Sequence, residues 1–492
     1  MNDETKQPKG SQPPRASKPM QPKPSFNEGS GPRTLISRRG FLYGAIGAGA
    51  LAAIGVGATV SSALPDMGTP DVEHIDVPEN ALTTLAELEV LDDAESVVRL
   101  VNRFELPYGT LVWANDDDVA ACLLPTETGS PLAQVGLLSL GSGTLVTILK
   151  EAVSSSERFE IYDVRATSRG VLWTEANVLK GAWRIYAAPL EQGALGKAVM
   201  LEEGDDRYDT PTLAVVDSSA FWQVLPKLPN DEGLTSRLMR ATFGKSDASC
   251  VFESTRRMGT PPYATRDSVT ISPRVDTSSV YYQLTNIDAK SGKVTDQMTL
   301  PRSMTPLEAG YGTNGFMFSF PDIYDYGGGI SNLGTYTPMA KPQDGNYSAA
   351  KWFGFARTPT AAPAWSGNLF IVKSSYSVCG VDLAAGTYFA IDVDDGADTY
   401  GEYLATTGVR DTFVTYANID HTPVNGDPKH VCRVKVWAPL TQDQRDERAA
   451  RAAQGEDGDD GEDGEYVDYE DYGVDDLGDA GGEMVADEAV QA

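Results

Sequence analysis

Three stretches share one shape: Ser139-Leu-Gly-Ser-Gly143-Thr144, Asp288-Ala-Lys-Ser-Gly292-Lys293 and Asp382-Leu-Ala-Ala-Gly386-Thr387. Each opens on a small polar residue, places glycine four residues later and continues into Thr or Lys. A glycine at that point supplies the positive φ that a tight hairpin needs and that a side chain would resist. Pro189-Leu-Glu-Gln-Gly193 sits in the same register, and Thr242-Phe-Gly244-Lys245 and Ser331-Asn-Leu-Gly334-Thr335 are looser copies. The six glycines stand at 143, 193, 244, 292, 334 and 386, with intervals of 50, 51, 48, 42 and 52 residues. A seventh unit ends in Trp437-Ala-Pro-Leu440-Thr-Gln442, echoing Ala187-Ala-Pro-Leu190-Glu-Gln192.

Strand-like runs flank the turns. Val135-Gly-Leu-Leu138, Trp183-Arg-Ile-Tyr186, Val280-Tyr-Tyr282 and Cys432-Arg-Val-Lys-Val436 precede them, and Leu145-Val-Thr-Ile-Leu149 and Tyr388-Phe-Ala-Ile391 follow. An earlier aromatic strand also recurs: Leu111-Val-Trp113, Val171-Leu-Trp173, Phe221-Trp222, Phe316-Met-Phe318 and Phe413-Val-Thr-Tyr416. β-branched and aromatic runs bounded by Gly, Asp and Asn read as strands. Several strands per unit at a period near 49 residues indicate an all-β fold, a β-propeller of seven blades over 96–440. A four-stranded sheet cannot bury both faces alone, so neighbours stack in a ring. The competing account is an accidental spacing within a β-sandwich or two smaller β domains.

These turns resemble those between the outer strands of quinoprotein-like propellers. The resemblance implies the propeller body. A quinone-binding member would place a tryptophan shortly after the turn; none follows Gly143, Gly292 or Gly386, so no such cofactor is expected. The seventh unit ends after its third strand. Ring closure therefore needs an outer strand from the N-terminal side, for which Ser96-Val-Val-Arg-Leu-Val101 is the candidate. Closure would bring Cys122 of unit one near Cys432 of unit seven, where a disulfide becomes geometrically conceivable; Cys250 and Cys379 should stay apart.

Upstream of the body, Ser37-Arg38-Arg39-Gly40-Phe41-Leu42 precedes an uncharged stretch of 26 residues from Gly40 to Pro65. This resembles a twin-arginine export signal, with Tyr43 where that family carries Lys. The resemblance implies passage through the twin-arginine translocase and a place of work outside the cytoplasmic membrane. Cleavage after Ala63 is one outcome. Retention of 41–63 as a single apolar anchor helix, with the C-terminus outside, is the other. Residues 1–40 form a basic, proline-rich leader, 64–95 a linker, 441–453 a short charged helix and 454–492 a disordered acidic tail.

The net charge is −30, and sixteen acidic residues lie between Glu456 and Glu488 without one Lys or Arg. The remainder is acidic too, which argues against nucleic acid as a partner. No Cys-x-x-Cys occurs among the four cysteines, and the three histidines include only His421 and His430 in the body. Neither pattern supports a zinc or haem site. Asp392-Val-Asp394-Asp395-Gly396-Ala-Asp398 resembles a calcium loop, because hard cations take clustered carboxylate oxygens. The motif departs from the helix-flanked form, so calcium stays a candidate at Asp392, Asp394, Asp395 and Asp398.

Candidate acid/base carboxylates are Asp116, Asp117, Asp118, Glu202, Glu203, Asp205, Asp206, Asp322 and Asp325. All lie in loop-like sequence, where acidic runs are ordinarily solvated. In the aromatic fifth unit, Phe316, Phe318 and Phe320 fit one buried strand face. Asp322, Tyr324, Asp325 and Tyr326 are the better ligand-binding candidates. The sequence thus leads to an exported propeller that binds a protein, peptide or glycan at the cell envelope. The alternative is an extracytoplasmic hydrolase or lyase with acidic residues at the channel mouth.

Overall fold

The computed structural model describes Ile75 and residues 79–227, 234–275, 281–301, 304–320, 334–357, 360–421 and 429–453. The twin-arginine residues Ser37, Arg38, Arg39, Phe41 and Leu42, the cleavage candidate Ala63, the acidic tail, and Asp322, Tyr324, Asp325 and Tyr326 lie outside them. Among the described residues no helix is long and apolar enough to cross a membrane.

Seven sheets follow one another along the chain. The first six occupy 111–149, 160–204, 212–254, 263–299, 308–355 and 364–390, each built on four antiparallel strands, with the two-residue Ala194–Leu195 as a fifth in blade two. In the seventh, Tyr403–Leu404, Phe413–His421 and Lys429–Pro439 are completed by Val98–Pro107. Seven apolar clusters sit between neighbouring sheets. The cluster joining blades one and seven, with Val112, Cys122, Val414 and Cys432, closes the ring; the others join one and two, two and three, three and four, four and five, five and six, and six and seven. Each blade buries both faces only because it has two neighbours, which is why the fold is a closed β-propeller.

The closing strand begins at Val98 and runs to Pro107, beyond the Ser96–Val101 stretch expected from sequence, and pairs with Val431–Pro439. Five repeat glycines, 143, 193, 244, 292 and 386, have φ between 69° and 81° and stand after the third strand of their blades. Gly334 does not share that place: it leads into the third strand of blade five, Thr335–Pro338, with φ 156°. The 42- and 52-residue intervals record this mismatch. Leu111–Trp113 is likewise the first strand of its blade, whereas Val171–Trp173 and Phe221–Trp222 lie in second strands.

The stretch read as a linker is folded where it is described. Ile75 is buried, and its N–H donates to Thr299 O at 3.4 Å. Leu82–Thr84 adds in parallel to the outer strand of blade five, Trp352–Phe355, and Glu89–Val90 does the same to that of blade six, Thr387–Ala390. The chain then enters the closing strand of blade seven, so this segment is a belt around three blades. At the other end, helix α1 (Gln442–Ala453) is capped by Thr441, whose Oγ1 accepts from Gln444 N while Gln444 Oε1 accepts from Thr441 N. This reciprocal pair satisfies first-turn donors. Arg445 of the helix pairs with Asp382 at 3.0 Å, and Arg448 donates to Glu95 O.

Candidate functional site

Strand alternation gives the ring two faces. Connections from first to second and from third to fourth strands lie on the upper face; the others lie on the lower. In blades two, three, five and six the first connection has two residues, but in blade seven it spans 405–412. That longer connection crosses the axis. Ala405 O accepts from Ala114 N of blade one at 3.0 Å, and Asn115 Nδ2 donates to Thr407 Oγ1 at 2.9 Å. Gly408–Arg410 pairs in parallel with Ala364–Ser366 of blade six. Gly408 N donates to the Tyr263 hydroxyl of blade four at 2.8 Å. A Cβ on Gly408 would lie 2.5 Å from Ala264 O, and its φ is +80°, so glycine is required at this approach.

Charged side chains tie the same mouth together. Asp117 accepts from Asp411 N at 3.0 Å, and Arg266 of blade four pairs with Asp117 at 2.9 Å and with Asp411 at 2.7 Å. Asp116 Oδ2 accepts from the N–H and the hydroxyl of Ser168, in blade two. Arg410, buried among these, donates to the carbonyls of Thr407 and Thr265. Burial pushes its guanidinium down from the ordinary value, against the pull of Asp117 and Asp116. Five blades therefore meet through one plug.

Three more of the candidate carboxylates are also engaged. Glu202 accepts from Trp222 Nε1 at 2.5 Å and pairs with Arg237, Glu203 pairs with Arg184, and Asp205 pairs with Arg207, whose hydrogen bond holds the Asp205 carboxyl below its usual range. Sequence reasoning missed three buried acids. Glu175 accepts from Val153 N, Ser154 N and Trp173 Nε1. Glu308 makes a two-point pair with Arg357, at 2.7 and 3.2 Å, yet burial still pushes its carboxyl up. Glu402 is fully buried beside Lys435 and accepts from Thr415 Oγ1. Glu175 and Glu308 stand in strands among mainly apolar neighbours, and that break was the available signal; Glu402 precedes the strand Tyr403–Leu404 and carried none.

The calcium candidates are not brought together. Asp392 and Asp395 are exposed. Asp394 pairs with Lys435 at 2.9 Å and Arg433 at 3.3 Å, while Asp398 accepts from Tyr400 N. Among the described residues no three His, Cys, Asp or Glu side chains are grouped to hold a metal ion. His430 lies directly across from Asp420, and His421 across from Lys429. Successive strand residues alternate, so the two histidines occupy opposite faces of blade seven. His430 stacks on Tyr108 at 3.8 Å between ring centroids. Cys122 and Cys432 share one core cluster, as ring closure requires, and both thiols are free.

No protein-family model matches the chain, and no curated protein matches it. Similar solved structures include those of two prolyl endopeptidases, at 11% identity over 68% of this chain and 51% of theirs, with a TM-score of 0.44. An oligogalacturonate lyase from Vibrio parahaemolyticus matches at 10% identity over 70% and 99% of the two chains, with a TM-score of 0.39. BamB from Moraxella catarrhalis matches at 10% over 70% and 100%, with a TM-score of 0.34. The chain spans about half the length of the prolyl endopeptidase it matches.

Proposed function

We propose that this chain is exported through the twin-arginine translocase and works outside the cytoplasmic membrane as a binding module for a protein or peptide partner. The observation that supports a surface reading over a channel enzyme is the plug. Asp116 and Asp117, on the upper-face connection of blade one, are both taken up in the contacts that tie that mouth together. A hydrolase or lyase built there would need them free. The lower face offers a different chemistry. Of the ten large exposed apolar side chains among the described residues, seven stand on lower-face connections: Leu132, Val153, Val178, Leu179, Leu307, Tyr376 and Tyr400. Leu179 is 95% exposed. Apolar and tyrosine side chains gathered on one face suit a protein surface.

Two experiments test this. Replacing Arg38 and Arg39 by Lys should leave the protein in the cytoplasm; undiminished export would remove the translocase from the account. Chemical cross-linking on intact cells should yield a partner adduct that Leu179→Glu with Leu307→Glu abolishes and Arg266→Gln leaves intact. The reverse pattern would move the binding surface to the upper face.

A further inference from the structure

The outer edges of the seven blades fall into two kinds. In blades one, two, three, four and seven, one residue of the outer strand is extra to the register: Ile148, Leu201, Val251, Thr295 and Val101. Such a bulge twists the strand and spoils its outer side as a template for further pairing. Among the described residues no strand is added to any of these five edges, and that of blade four takes a single hydrogen bond, from Ile75 N to Thr299 O. In blades five and six the outer strands pair without interruption, Trp352–Phe355 against Thr335–Pro338 and Thr387–Ala390 against Cys379–Asp382. Neither strand holds a charged residue. These straight, uncharged edges are the two that the N-terminal belt covers.

The belt is fitted to its place by leucines at every third position. Leu82 packs on the cluster between blades four and five, Leu85 and Leu88 on that between five and six, and Leu91 on that between six and seven. Its backbone attachment is slight: three paired positions on blade five and two on blade six. The closing strand beyond it has nine. A segment with few pairings and partly exposed side chains opens at low free energy.

We propose that the outer edges of blades five and six form a strand-acceptor surface, and that residues 79–91 of a second copy of this chain take the resident segment's place to give a reciprocally exchanged dimer. The occupant is argued from the fit. This segment is the one the edges hold in register, and a second copy offers the same leucines at the same spacing. Asp92 and Asp93 are exposed and lie between the belt and the closing strand, so a hinge there exchanges the belt while Val98–Pro107 stays home. With a net charge of −30, two copies repel at low ionic strength, so salt favours exchange. The inference is independent of the partner proposed above.

The test pairs Glu89→Cys with Thr387→Cys, residues in direct register, in a Cys250→Ser background of the whole chain. After equilibration and oxidation, the variant should give a disulfide-linked dimer beside the internally linked monomer. The dimer-to-monomer ratio should rise about tenfold per tenfold in concentration while dimer is scarce, and rise again with salt. Arg99→Cys with Ala438→Cys, across the closing strand, should link only within one chain. An internal link alone at every concentration, or no link at all, overturns the proposal. Dimers from the control pair overturn it too, because exchange would then not be confined to the belt. Circular dichroism matching the parent establishes that each variant is folded.

Discussion

Arg266 of blade four reaches Asp117 of blade one across the axis, Nη2 to Oδ2 at 2.9 Å. Both side chains are partly exposed, at 46% and 32%. An ion pair so placed contributes at most about 1 kcal/mol. Arg266→Gln should therefore lower the melting temperature only slightly, while amide hydrogen exchange at 405–411 quickens. Gly408→Ala should act differently. Its Cβ meets a backbone oxygen and its φ is +80°, so a loss of about 1–2 kcal/mol from conformation alone is expected before any clash. A larger loss from Arg266→Gln than from Gly408→Ala in a denaturation series would mean that charge, not backbone fit, holds the plug.

Lys435 stands between two acids whose environments differ. At Asp394, burial opposes ionisation, but Lys435 and then Arg433 outweigh it and hold the carboxyl below its usual range. At Glu402, burial prevails over Lys435 and Thr415 and pushes the carboxyl up. Lys435→Met takes the cation from buried Glu402 and leaves Asp394 with Arg433, and should cost about 3–5 kcal/mol by urea denaturation.

The same pair sets a pH dependence whose two signs are opposite. The depressed Asp394 stabilises above the unfolded value of about 3.9, and that part is lost as pH falls through its folded value. The raised Glu402 contributes below about 4.3, and that part is lost as pH rises through its folded value. Glu402→Gln should gain on the parent as pH rises above about 4.3 and keep the acid-side loss. Parallel stability curves for the two proteins would contradict this.

Burial pushes the Cys122 thiol up to about 12, and Cys432 is raised well above its ordinary value, mainly by burial. In the unfolded chain both ionise near about 8.5. Stability from these thiols is whole below that value and is lost as pH rises above it. The parent should weaken between pH 8 and 10 more than Cys122→Ala with Cys432→Ala does, whatever the variant's absolute loss. Under native conditions a thiol reagent should spare Cys122 and Cys432, and an unfolded sample should label four thiols.

Asp296 Oδ2 accepts from the hydroxyls of both Tyr311 and Tyr347, each at 2.8 Å, joining blade four to blade five. Tyr347→Phe removes one charge-assisted hydrogen bond and should cost about 1.5–3 kcal/mol in thermal or chemical unfolding.

The ring was legible in the sequence because its signal is local. Gly143, Gly193, Gly244, Gly292 and Gly386 each mark a hairpin whose geometry only a few residues decide. Gly334 misled because a glycine before a strand and a glycine after one look alike without the partner strand. The belt was hidden for another reason. Leucines at 82, 85, 88 and 91 follow neither the period of two of a strand nor the 3.6 of a helix, since the first opens a short strand, the second a 3-10 turn, and the last two stand just before and just after Glu89–Val90. The plug and its charges were hidden by distance. Arg266 and Asp117 are 149 residues apart, and nothing near either one announces the other. The buried acids Glu175, Glu308 and Glu402 stand out only once the surroundings are known to be dry.

The closing strand has a consequence for the newborn chain. Glu105 and Arg433, hydrogen-bonded neighbours in blade seven, are 328 residues apart in sequence. At a synthesis rate of about 5–20 residues per second, Val98–Pro107 waits roughly 16–65 s for the partner it will pair with. During that interval six blades have been made, and the strand that will lock them is still bare. A ribosome-bound chain of this kind gives holdase chaperones a window of known length and a known target. The last strand to leave the ribosome also ends that window.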